Sequence, residues 1–185
     1  MLTSANAVTY TPTSGYTGTA KLTMTTSDGG NTGSGGAQTD TDNVAISISA
    51  VNDAPANTMP ATLVATEDTS IALTGLGVTD VDAGTGTINV TLTVLHGVLT
   101  ANAAAASSAG VTITTNGTAS IQLSGTLTAI NTLLATAGGV SYMPATNYNG
   151  SDKLTMFTTD GGNSGTGGTL SDTHEMAITV NPVND

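Results

Sequence analysis

Asp80 and Asp82 stand one residue apart, with Gly84 two positions further on. Two carboxylates at that spacing, beside a glycine that permits a tight turn, form a loop suited to a hard divalent cation. Asn52-Asp53 and Asp160 offer further oxygen donors, as do Glu67 and the terminal pair Asn184-Asp185. Calcium takes roughly 6–8 oxygen ligands from carboxylates, amide carbonyls and backbone. The whole chain leans the same way. Its 185 residues carry thirteen acids, two lysines and no arginine, for a net charge of -11. Crowded acids repel one another unless a cation lies between them. The same imbalance excludes binding to nucleic acid or to an anionic membrane surface, both of which need clustered cations.

Other chemistry is thinly represented. Cysteine is absent, which removes disulfides and thiolate zinc sites. His96 and His174 are the only histidines and lie far apart, so no nucleophile–base–acid set forms and the chain is read as non-catalytic. The Gly-rich stretch 161–168 superficially resembles a phosphate loop, but a strand rather than a helix is expected after it, which favours a hairpin tip. Lys21 and Lys153 are read as strand lysines with solvated heads, an intramolecular isopeptide bond being the alternative. The four tyrosines, Tyr10, Tyr16, Tyr142 and Tyr148, fit core and corner packing better than a sugar-stacking platform. No run of apolar residues approaches the roughly 20 needed for a membrane-spanning helix. The first residues carry no basic and apolar leader pattern, so export is expected to be directed from elsewhere.

The elements that must position the acids come into view through an internal repeat. Shifted by 132 positions, residues 2–53 align without a gap on 134–185, with 26 of 52 pairs identical. Lys21-Leu22-Thr23-Met24 matches Lys153-Leu154-Thr155-Met156, and Asp28-Gly29-Gly30-Asn31 matches Asp160-Gly161-Gly162-Asn163. Asp28 thereby joins the candidate ligands as the counterpart of Asp160. Asp40 and Asp42 align with Asp172 and His174, so that pair is read as a solvated strand edge. A period near 130 residues is too long for a solenoid unit and fits whole domains in tandem. Residues 1–53 are read as the C-terminal part of a preceding repeat and 54–185 as one full repeat, an excerpt of a longer array.

Within 54–185 the apolar pattern predicts an all-β domain. Thr87–Leu95 alternates Ile88, Val90, Leu92 and Val94 with polar residues, the period of a half-buried strand. Further strands are expected at 62–65, 70–78, 98–101, 111–115, 119–123, around Tyr142, and at 154–159 and 176–180. Leu127, Ile130, Leu133 and Leu134 recur at helical spacing, which predicts a short helix over 126–135. The Ala-rich 102–109 is left open between a helical turn and an irregular crossing. Seven to nine short strands with so little helix predict a β-sandwich of Ig-like or cadherin-like type. The 14 residues from Asp53 to Glu67 span about 45 Å when extended, a domain's length. Glu67, Asn184 and Asp185 are therefore expected at one pole, and Asn52, Asp53, Asp80, Asp82 and Asp160 at the other.

These motifs together resemble bacterial cadherin-like repeats. The resemblance is carried by Val-Asn-Asp-Ala-Pro at 51–55, Glu67-Asp68-Thr69, Asp80-Val81-Asp82 and the tyrosine, proline, glycine and Leu-x-Met positions of 142–161. It covers essentially the whole chain. It implies calcium at the junctions of an extended rod in a large secreted adhesin or surface filament, with neighbouring repeats as partners. A glycan or cell-surface ligand, or self-assembly into a fibre or sheath, is the alternative. One departure from animal cadherins is the uncharged segment 126–139, where their junctions draw further acids, so fewer ions are expected per junction.

Overall fold

The computed structural model describes residues 8–31 and 33–184. The chain divides into two compact units, Met1–Ala50 and Val51–Asp185. In the first, β1 (Gly18–Ser27) and β2 (Thr39–Ile48) pair antiparallel, from Gly18 opposite Ile48 to Ser27 opposite Thr39.

The second unit is all-β apart from two short helices. Its strands are β3 (Ala56–Thr58), β4 (Thr62–Thr66), β5 (Ile71–Ala72), β6 (Gly77–Thr79), β7 (Thr87–Thr93), β8 (Gly97–Ala101), β9 (Thr112–Thr114), β10 (Ser120–Thr126), β11 (Val140–Pro144), β12 (Gly150–Thr159) and β13 (Ser171–Asn181). A six-stranded sheet runs β4-β13-β12-β7-β10-β9, with β4 parallel to β13 and the other pairs antiparallel. A three-stranded sheet runs β5-β11-β8, and β3 pairs with β6. One core collects Ile88, Val90 and Leu92 from β7, Leu154 and Met156 from β12, and Met176, Ile178 and Val180 from β13. Leu99 of β8 and Tyr142 of β11 join the same core. The alternation read from the sequence is thus the alternation of burial.

Helix α2 (Leu127–Ala135) forms where the helical spacing predicts it. The Thr126 hydroxyl accepts the Ala129 N–H as an N-cap, and Ile130, Leu133 and Leu134 turn into the core. The Ala-rich stretch also becomes a helix, α1 (Ala103–Ala109), capped by Asn102 and ended by Gly110. Two details depart from expectation. The strand expected over 70–78 is divided into β5 and β6, which belong to different sheets. Gly75, at φ +73°, sits in the left-handed region between them, where a continuous strand cannot pass. β3 went unpredicted because its three residues carry a buried polar side chain, Asn57, in place of an apolar pattern. Among the described residues, no helix is long and apolar enough to cross a membrane.

Candidate metal centre

The chain enters the second unit through Val51–Asp53, and the loops that follow β6 and β12 close around this segment. Val51 bridges to Thr166, and the Asn52 N–H donates to the Thr166 carbonyl at 2.9 Å. Asn52 is buried, and its side-chain amide donates to Asp160 Oδ2 and to the Gly168 carbonyl. The Asp53 N–H donates to Asp82 Oδ2 at 3.0 Å. The Ser164 hydroxyl donates to the Asp82 carbonyl at 2.7 Å. Asn52, Asp53, Asp80, Asp82 and Asp160 are therefore drawn into one cluster of three loops.

Asp80 opens a tight turn. Its Oδ1 accepts the N–H groups of Asp82 and Ala83 at 3.1 and 2.9 Å, and Gly84 completes the turn at φ +52°. Its other oxygen, Oδ2, is shut off from solvent and has no hydrogen-bond partner; the same is true of Asp82 Oδ1. Burial, together with Asp82 close by, raises the pKa of Asp80 above the ordinary carboxylate range. Asp82 is held lower, chiefly by the Asp53 N–H. Two neighbouring carboxylates thus each hold a buried oxygen without a donor, and a shared proton or a cation would satisfy both.

Asp160 has a different role. Its Oδ1 accepts the Gly162 and Leu170 N–H groups at 2.8 and 2.9 Å, while Oδ2 takes the Asn52 amide. Burial pushes its pKa up, but these donors outweigh burial and leave it below the ordinary range. Asp160 is thus the clamp of its loop. Asp28, in the first unit, holds the equivalent loop through the Gly30 and Gln38 N–H groups, both at 2.9 Å. The residues of 161–168 form the connection into β13, not into a helix.

Glu67 stands elsewhere in the unit, apart from this cluster. It is buried, with Oε1 accepting the Val183 N–H at 2.6 Å and Oε2 the Asn149 amide at 3.2 Å. It ties down the departing chain just ahead of Asn184, which is exposed. Asp185 lies outside the described residues.

Three polar anchors escaped the sequence reading. Asp152 is buried and accepts the N–H groups of Leu95, His96 and Lys153 and the Tyr142 hydroxyl, the last at 2.7 Å. Burial opposes its ionisation, but the Tyr142 hydroxyl and the three N–H groups prevail, and its pKa is lowered. Burial and the neighbouring Asp152 carboxylate drive the Tyr142 phenol far above its usual range. Asn57 is buried, with its amide on the Met156 and Asp172 carbonyls and its oxygen accepting the Thr158 hydroxyl. Asp172 in turn accepts the Asn57 N–H at 2.7 Å and lies 3.0 Å from His174 Nδ1. The signal for Asp152 was parity: it occupies an inward position of a strand whose next inward residues are Leu154, Met156 and Thr158.

Among the described residues, no three carboxylate or imidazole side chains converge on one point. The two orphaned oxygens of Asp80 and Asp82 are the acceptors in this cluster left without a partner. Their type fits a hard cation such as calcium or magnesium. Comparison with known proteins finds no family whose description matches the chain and no curated relative that matches it.

Proposed function

We propose that the chain is a calcium-rigidified stretch of a tandem array of Ig-like, cadherin-like β-sandwich repeats. In this reading it is exposed at a cell surface and serves as a spacer, not a catalyst. The observation that carries the proposal is the two buried, unpartnered oxygens, Asp80 Oδ2 and Asp82 Oδ1, in the loop that holds the Asp53 N–H. A cation between them removes their repulsion and adds a bond from the loop to the segment by which the chain enters the repeat. Fixing that segment fixes the direction in which one repeat leaves the next. Asp160 supports the site from behind by holding Asn52. The sandwich reading is supported by the single core that the six-stranded and three-stranded sheets share.

An ion that binds only the folded state stabilises it by mass action, by about 2.7 kcal/mol at a hundredfold excess over its dissociation constant. For a unit of this size that corresponds to a rise in melting temperature of roughly 5–10 °C. Millimolar calcium is expected to give such a rise, chelator to reverse it, and Asp82→Asn to abolish it. A melting temperature indifferent to calcium, or a rise that survives Asp82→Asn, sinks the proposal.

A further inference from the structure

The β1–β2 hairpin exposes Leu22, Met24 and Val44, although a lone two-stranded hairpin is marginal in water. Its copy shows what such a face is built to meet. β12 and β13 pair in the same register at an offset of 132, from Gly150 opposite Val180 to Thr159 opposite Ser171. There the equivalent Leu154, Met156 and Met176 are buried. The interface that buries them continues along both strands: Thr155–Thr159 of β12 pairs with Asn89–Thr93 of β7, and β13 pairs with β4.

The polar contacts of that interface are also prefigured on the hairpin. Asn57 is held in the second unit by Thr158, Asp172 and the Met156 carbonyl. Thr26, Asp40 and Met24 stand at the equivalent positions. Asp28 already folds its loop as Asp160 does, and Asp160 uses its second oxygen to hold Asn52. Two features are missing. Ala20 replaces Asp152, the acceptor for Leu95, His96 and Tyr142, and Thr17 replaces Asn149, whose amide donates to Glu67.

We infer that the β1–β2 hairpin is a docking surface for a repeat body of the kind formed by residues 51–141, supplied by a second copy of that sequence, with Tyr10–Thr17 standing for 142–149. The body lays its β7 equivalent along β1 and its β4 equivalent along β2. It sets its Asn52 and Asn57 equivalents on Asp28, Thr26 and Asp40. This rests on the repeat and its register, not on a cation, and its test is run in chelator so that the two fail separately.

The test adds a body to the existing chain by fusing residues 51–141 directly ahead of Tyr10, the equivalent of Tyr142. Amide exchange at Thr23–Ser27 is expected to slow by about tenfold or more relative to the 185-residue chain. Leu22→Asp should undo that protection while leaving the melting of the unfused chain unchanged. Ala20→Asp should deepen protection in the fused chain alone, by restoring the missing acceptor. Equal exchange in both chains, or an added body that stays unfolded, overturns the inference. So does an unfused chain that sediments as a dimer dispersed by Leu22→Asp, because a second hairpin would then occupy the face.

Discussion

Two hairpins in this molecule share their register, their Asp-Gly-Gly-Asn loop and half their residues, yet only one has a core. Leu22 and Met24 are 46% and 55% exposed, while Leu154 and Met156 are fully buried. The local chemistry is the same in both. The Tyr16 hydroxyl donates to the Thr19 carbonyl at 3.0 Å, and Tyr148 does the same to Ser151 at 2.6 Å. The loop aspartates accept equivalent N–H groups. What differs is everything reached across long sequence distances. Tyr142 is buried on Asp152 and His96, whereas its counterpart Tyr10 is half exposed. Turn, register and corner are thus encoded within some 35 residues, whereas burial is a property of the body that a hairpin leans on.

The sharpest way to break that comparison is to make the same change on both hairpins. Leu154→Ala should cost about 3 kcal/mol, by lost transfer energy and the cavity left among β7, β12 and β13. Leu22→Ala should leave the unfolding midpoint unchanged, because its side chain is already half in water. Urea unfolding of the two variants reads the difference. Equal losses would mean that the first hairpin is as well buried as the second.

The polar anchors give the next largest contrast. Asp152→Asn keeps the shape but turns an amide nitrogen toward donors that need an acceptor, at a cost of about 3 kcal/mol. The pH dependence carries a definite sign. Asp152, Asp160 and Asp172 all have pKa values lowered by the fold. Their stabilisation is present above the ordinary carboxylate pKa of about 4 and is lost as pH falls through the lower folded values. Acid should therefore loosen the second unit, and Asp152→Asn should flatten the acid limb of a stability–pH curve. A variant as acid-sensitive as the parent would remove Asp152 from this role.

How much of this was legible in the sequence follows the same divide. Strand β7 and helix α2 could be read because Ile88, Val90 and Leu92, or Ile130, Leu133 and Leu134, repeat with the period of their own element. The clustering of Asn52, Asp53, Asp80, Asp82 and Asp160 could be reached from strand lengths alone. The partners of each acid could not. Asp160 and Glu67 are satisfied by N–H groups and amides of their own repeat, and such donors leave no mark in a list of acids. Asp152 was hidden because its copy carries Ala20, so comparing repeats points away from it. Gly75 could have signalled the break between β5 and β6, as an isolated glycine in a strand pattern often does.

The smallest expected effect is also the most specific to the candidate site. The pKa of Asp80 is raised, by burial first and then by the neighbouring Asp82 side chain. A raised folded pKa has the reverse linkage: its stabilisation is full below the ordinary carboxylate value and is lost as pH rises through the folded value. Where Asp80 is ionised in chelator, its charge therefore weighs against folding. Asp80→Asn keeps an oxygen for the Asp82 and Ala83 N–H groups and removes the opposed charge. It should raise the melting temperature slightly in chelator and lose the response to calcium. The sign distinguishes a cation site from a solvated turn: an exposed acid replaced by asparagine changes neither quantity, and a purely structural acid only lowers the first. Asp28→Asn, on the hairpin without such a pair, should leave the calcium response intact.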